Sequence, residues 1–411
     1  MNLMKNVLII DMKNIIKLIL FSVFVTSCAS APATMPVVSK DELQSASASL
    51  TKAMDVNIVE FSPGLSSDPA KNERDGIWPE LRRAESRLFA SKLKDSFTET
   101  NRFGDVNLVS SDKMLSDIVI TGKIIKSNGE DLILEISAAD SSGKKFISSK
   151  KYSHRTTEYF FRDLRNKGVD PFSPVYDNIL LDVLKYLNTQ DLPKMKTTTD
   201  LRFAKSLNPE YFDSALTKTR NGSLEPNFIP DDQDELYLKA MNVKIQDNIF
   251  KSEMQSSYDT FLASMEESYG VWREASFLAS KKQREAEARA QAAAVAGILI
   301  GIAGAAASAD SYDGYNYNAG QDIAGTIAMA AGAALIYESI ASSDEAEVHA
   351  ETIEEVSKSF DSEVAPKVIE FEDVTLSLEG TISEQFDQWQ KILQRYYYSS
   401  LKEGSDIVIK T

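Results

Sequence analysis

The chain has 411 residues, a formal net charge of −16, 43 % hydrophobic residues, one cysteine and two histidines. That acidity argues against nucleic acid as a partner and against electrostatic docking on anionic headgroups. A single cysteine excludes an internal disulfide and a cysteine metal cluster, and the composition is that of a folded protein with room for two or three modules.

Residues 1–27 read as a leader. Lys13 and Lys17 flank the start of the apolar run Leu18-Ile19-Leu20-Phe21-Ser22-Val23-Phe24-Val25, and the small residues Thr26 and Ser27 lead into Cys28. The run is too short for an ordinary membrane span. Asp11 interrupts the stretch upstream of it, so Met12 makes a more usual start than Met1. Val25-Thr26-Ser27-Cys28 resembles the lipobox of bacterial lipoproteins. The resemblance implies that the Cys28 thiol takes a diacylglycerol, that the leader is cut before it, and that the new N-terminus is acylated. Ala29 stands where the enterobacterial version of the family uses Asp for inner-membrane retention, which implies the outer membrane, facing the periplasm. Three acyl chains satisfy the need for more than one chain in stable anchoring. Residues 28–52, rich in Ala, Ser, Pro and Val without periodicity, are expected to be a flexible tether.

Residues 53–155 form an α+β module. Val56-Asn57-Ile58-Val59-Glu60-Phe61 alternates like a strand, and residues 63–76 supply a polar loop. From Pro79, a favoured first-turn residue, Leu81, Ala84, Leu88, Leu93 and Phe97 recur at helical spacing. Strands follow at 106–109, 117–125, 132–138 and 144–152. Asn128-Gly129 predicts a hairpin turn with positive φ at both positions. Strand, helix, then four strands predicts a sheet covered on one face.

This order, with the Val106-Asn107-Leu108-Val109 strand, the run Ser116-Asp117-Ile118-Val119-Ile120-Thr121-Gly122-Lys123-Ile124 and the turn Asp140-Ser141-Ser142-Gly143, resembles a periplasmic α/β domain. Similar domains occur in curli-secretion lipoproteins and at the N-terminus of the Tol-system propeller protein. The resemblance covers about a quarter of the chain and implies assembly with copies of itself or binding of protein partners. The amphipathic hairpins through which curli channels cross the outer membrane have no counterpart here.

Residues 156–230 read as a connector with short helices, of which 176–187 is amphipathic through Ile179, Leu180, Val183, Leu184 and Leu187. Residues 231–365 read as a long helical hairpin. Asp231, Asp232, Asp234 and Glu235 suit a helix N-terminus. Met254, Tyr258, Phe261, Met265, Tyr269, Trp272, Ala275 and Ala279 then form one seam, with Gly270 as a candidate kink. An uncharged stretch at 290–309 and a second Ala/Gly stretch at 323–337 flank a polar loop, so the tip spans 290–337. Residues 366–411 read as a strand-strand-helix unit. It has strands at Lys367–Phe371 and Val374–Leu378, a capping box from Thr381 and Glu384, and Ile382, Phe386, Trp389, Leu393 and Tyr396 on one helix face. The fold class is therefore α+β, with a long antiparallel helical hairpin between the two small-stranded units.

Within the tip, Ala293, Gly297, Gly301 and Ala305 fall every four residues, and Gly320, Ala324, Ala328 and Gly332 do the same. Each set makes a stripe of small residues on one helix face, where two backbones approach closely. The segment resembles the glycine zippers of bacterial envelope lipoproteins. Three readings stay open: a hairpin packed on itself, helix contacts between copies of the chain, and membrane insertion.

Chemistry-bearing patterns are sparse. His154 and His349 have no partner at catalytic spacing and read as surface residues. Residues 297–304 lack the Lys-Ser/Thr of a phosphate loop, and residues 310–322 lack EF-hand spacing because Tyr312 takes the third position. The acidic clusters Asp231-Asp232 and Glu345/Glu347 read as solvated helix charges, and Tyr396-Tyr397-Tyr398 as a helix face or an interfacial aromatic patch. No catalytic residue, metal or cofactor is expected. The expectation is a non-enzymatic outer-membrane lipoprotein, held by lipid at Cys28, that is a structural, oligomerising or adaptor component of an envelope assembly. The alternative is a subunit of an export or membrane-permeabilising complex whose hairpins insert together. Other envelope proteins and further copies of the chain are the expected partners, and nucleic acid is not.

Overall fold

The computed structural model describes residues 34–228, 231, 233–307, 352, 355, 367–371 and 374–402, with backbone only at 73, 287, 290–307, 367–371, 374–376 and 402. The leader, Cys28, the return arm of the hairpin with Gly320, Ala324, Ala328 and Gly332, and His349 lie outside the described residues.

The fold is α+β. Strands β1 (Val56–Val59), β2 (Val106–Val109), β3 (Ile118–Ser127), β4 (Asp131–Asp140) and β5 (Lys145–Arg155) form one sheet in the order β2-β1-β3-β4-β5. β1 runs parallel to both β2 and β3, and the rest is antiparallel. Ile118, Ile120, Leu132, Leu134, Ile136 and Tyr152 alternate onto one buried face. The opposite face sets Lys123, Glu135 and Lys151 side by side in register, an alternation of charge that suits a wetted surface. Helices α1 (Lys40–Ala48), α2 (Pro69–Arg74), α3 (Pro79–Thr98), α4 (Glu158–Arg162), α5 (Ser173–Leu187), α6 (Leu192–Leu207) and α7 (Pro209–Phe212) accompany the sheet. α3 and α5 cover its apolar face, joined by the edge-on pair Phe89–Phe172.

Three expectations change. Residues 28–52 were expected as a tether, yet α1 lies within them and packs on α5, with the Ser39 hydroxyl accepting from the Glu42 N–H as its N-cap. The Ser39/Glu42 spacing was the available signal. The connector holds α6, whose Leu192, Leu201, Phe203, Ala204 and Leu207 are core residues. At the β3–β4 turn only Gly129 has positive φ (+78°), and Asn128 N bonds to Asp131 O across the pair Gly129-Glu130. Glycine is thus needed only at the first of the two central positions, and the Asn128 side chain accepts from the Glu130 and Asp131 N–H groups across the turn.

The long helix α8 runs Glu235–Ala307, 73 residues, through Gly270 as one element. The Asp234 carboxylate accepts from the Leu236 and Tyr237 N–H groups and so caps it. A β-hairpin (β6, Lys367–Phe371; β7, Val374–Leu378) and the final helix α9 (Ile382–Lys402) complete the described chain. Thr381 and Glu384 make the expected reciprocal capping box. α9 lies antiparallel on the first turns of α8: Phe250 stacks on Trp389, Gln390 donates to Asp247, and Lys239 donates to the Ser400 carbonyl. Ile382, Phe386, Trp389 and Leu393 are buried as expected, but Tyr397 rather than Tyr396 completes the buried face.

Candidate functional site

The periodic seam of α8 is buried at Met254, Tyr258, Phe261, Met265, Tyr269, Trp272 and Ala279, with Ala275 only half-buried. Its described partner is the body rather than a second arm of a hairpin. α8 passes along the β2 edge and antiparallel to α3, starting at the end of the sheet where β1, β2 and β3 begin. Lys251 donates there to the Leu115 carbonyl, and Gln255 bonds both backbone groups of Leu108 on the edge strand β2.

Two buried polar clusters then fix the register. Tyr258 donates to Glu60 at 2.6 Å, and Glu60 also accepts from Arg87, whose guanidinium lies over the Phe261 ring. Tyr269 donates to Glu85, which also accepts from Ser127 and pairs with Arg82 at 3.0 Å. Burial raises the Glu85 carboxyl above its ordinary value, against the opposing pull of Arg82. Burial likewise drives the Tyr258 and Tyr269 hydroxyls well above theirs, helped by Glu60 and Glu85. These phenols stay neutral donors at any physiological pH. The Glu85 position was legible in principle, because it shares a helix face with Leu81, Ala84 and Leu88.

At the other end of the sheet the β3–β4 turn grips α8. A Cβ on Gly129 would stand 2.5 Å from the Phe277 nitrogen and 2.7 Å from the Arg273 carbonyl oxygen, so the turn touches helix backbone directly. Ser280 donates to the Asn128 carbonyl, and Arg284 holds Glu130 through Nε and Nη2 at 2.8–3.1 Å. Lys281 pairs with Glu158 of α4, and Phe161 packs on Phe277. Beyond Arg284, among the described residues, the ion pairs of α8 stay within the helix, from Glu285 to Lys281 and Arg289. The backbone continues helical for a further ~35 Å to Ala307 and carries Ala293, Gly297, Gly301 and Ala305 at successive turns.

The described chain begins at that same end. Met35 N donates to the Ser153 carbonyl at the close of β5, and Asn178 near the start of α5 donates to the Pro36 carbonyl. The point where the N-terminal segment joins the body and the point where α8 leaves it therefore share one end of the sheet.

The opposite end holds a shallow polar cleft lined by Asp55, Asn57, Asp105, Asn107, Thr199, Lys244 and Lys251 among others. Its lysines are paired with carboxylates, while Asp105 is exposed to solvent. Lys244 pairs with Asp200, Lys251 with Asp247, and Lys196 with Asp55 and Asp117. It lies at the amino ends of the parallel strands, away from the carboxyl ends where α/β sheets bind ligands. Such a cluster braces α6 and α8 against the sheet. Among the described residues no group of three or more His, Cys, Asp and Glu side chains is placed to hold a metal, and no helix is long and apolar enough to cross a membrane. His154, expected on the surface, is half-buried with Nδ1 unpartnered among the described residues, and burial lowers its pKa. No protein-family model, curated protein or solved structure matches this chain.

Proposed function

We propose that the chain is a non-enzymatic, lipid-anchored component of an envelope assembly, whose α+β body serves as the mount for a rigid helix. The reading rests on one observation above all. α8 is a single helix held along the whole body by its apolar seam and by bonds from Lys251 to Arg284, and it then carries the Ala293-Gly297-Gly301-Ala305 stripe outward. A stripe of small residues on a rigid arm is suited to close helix–helix contact with further copies or with a protein partner. The anchor at Cys28, in the outer membrane and facing the periplasm, belongs to this reading through the lipobox resemblance.

The test is sizing of the purified, delipidated mature protein. Assembly through the stripe predicts an oligomer that Gly297→Leu or Gly301→Leu shifts to smaller species. A wild-type monomer unchanged by either substitution ends the assembly reading.

A second reading, insertion of the Gly/Ala tip into the membrane as part of an export or permeabilising complex, is favoured by one feature. Met35, seven positions after Cys28, is bonded at the same end of the body from which α8 continues to Ala307. This reading predicts that the mature Cys28→Ala protein still partitions with membranes, and complete release into the soluble fraction removes it.

A further inference from the structure

The loop between β5 and α5, residues 156–172, departs from the character of the chain as a whole. In an acidic protein its stretch 159–169 contains Arg162, Arg165 and Lys167 against Asp163 alone. It also exposes large apolar side chains: Leu164 is 87 % exposed, Tyr159 68 %, and Val169 is exposed as well. The nearby carboxylates are already engaged. Asp163 is held by Arg165, Glu158 by Arg162 and Lys281, and Asp170 lies beside Arg273. The loop is not loose chain. Asn166 donates to the Phe160 carbonyl, Asp163 caps the turn Leu164–Asn166, and Phe161 is seated on Phe277 of α8. A rigid support that presents leucine, valine and tyrosine to solvent, rimmed by cations, has the composition of an interfacial membrane contact.

What covers this loop follows from where the chain goes. The loop springs from β5 and returns into α5, and those two elements hold Met35 and Pro36 between Ser153 and Asn178. Val37, beside that point, is 71 % exposed. Cys28 lies seven positions before Met35, and extended chain of that length reaches at most ~25 Å. With lipid on Cys28, the end of the body that bears the loop cannot leave the bilayer surface by more than that distance.

We propose that residues 156–172 form a membrane-docking loop, in which Tyr159, Leu164 and Val169 enter the interfacial layer of a phospholipid bilayer while Arg162 and Lys167 meet its phosphates. The net acidity of the chain gives no such contact; the loop itself is neutral, with three cations against Glu158, Asp163 and Asp170, and its exposed apolar tip with Lys167 supplies the contact. The proposal rests on the anchored reading for its geometry, so its test supplies a tether that does not depend on acylation. The mature chain with Cys28→Ala has no thiol, and Leu164→Cys then takes a single environment-sensitive fluorophore. An N-terminal histidine tag holds this protein on vesicles of phosphatidylethanolamine and phosphatidylglycerol doped with nickel-chelating lipid. The probe at Leu164 is expected to brighten and shift to the blue on tethering. The same probe at Lys113→Cys, at the opposite end of the sheet, stays unchanged. Tyr159→Asp with Val169→Asp lowers the fraction of docked loop by about tenfold. A probe at Leu164 that remains water-like on tethered protein, or one matched by Lys113→Cys, overturns the proposal. The anchored reading is judged separately by palmitate labelling of Cys28 in cells, so either can fail without the other.

Discussion

The side-chain amide of Gln255 closes both backbone groups of Leu108, its Oε1 accepting from the N–H and its Nε2 donating to the carbonyl, each at 2.9 Å. β2 is an edge strand, and unpaired edges invite pairing with other chains. One helical residue thus does for the edge what a further strand would do. Gln255→Met keeps the volume and removes both bonds. Leaving two backbone groups unmet should cost about 1–3 kcal/mol, read as a lower urea midpoint with unchanged slope.

Gly129 sets the distance between the β3–β4 turn and α8. Gly129→Ala places a Cβ against the Phe277 nitrogen at a backbone conformation, φ +78°, that alanine resists. The expected loss is about 2 kcal/mol or more. Hydrogen exchange should show it locally, as faster exchange of the amides from 273 to 284 with little change near Phe250.

Gly270 offers the opposite outcome. It sits in the interior of α8 with open space where a Cβ would go. Gly270→Ala should stabilise the protein by roughly 0.5–1 kcal/mol, because alanine loses less backbone freedom on entering a helix. Thermal unfolding monitored by circular dichroism checks the sign, and a fall in midpoint would show that the glycine is needed for a bend.

Asp177 on α5 carries a pH signature. Burial, with the nearby negative charge of Glu99, raises its carboxyl to about 6 from an ordinary 3.8. A raised folded-state pKa favours the protonated form, so this contribution to stability is complete below about 4 and lost as pH rises through about 6. Asp177→Asn removes the loss. Its stability relative to wild type should therefore grow by about 2 kcal/mol between pH 4 and pH 7.5 in paired denaturation curves.

Much of the architecture was written in periodicity. The strands of the sheet, the pair Lys367–Phe371 and Val374–Leu378, the Thr381/Glu384 box and the seam from Met254 to Ala279 all lie where two- and 3.6-residue spacing placed them. α6 escaped because Lys194, Lys196 and the threonines 197–199 dilute its apolar residues. Thr198 and Thr199 are nevertheless buried, with Thr199 donating to Asp117. The identity of the surface under the seam was not legible. Spacing shows that one face of α8 must be covered, and an apolar seam fits a second helix as well as it fits α3 and the edge of β2. The polar residues that choose between them, Gln255, Glu60 and Glu85, act through partners 147 to 198 positions away.

The bond between Gln255 and Leu108 also carries a temporal meaning. The two residues are 147 positions apart, so β2 is made long before the side chain that seals it. In a chain threaded N-terminus first across a membrane, the sheet would emerge with an open flank and wait for its helix. The hazard in this protein's life is therefore concentrated in the unfinished chain, and truncations ending before Gln255 should aggregate where longer ones stay soluble.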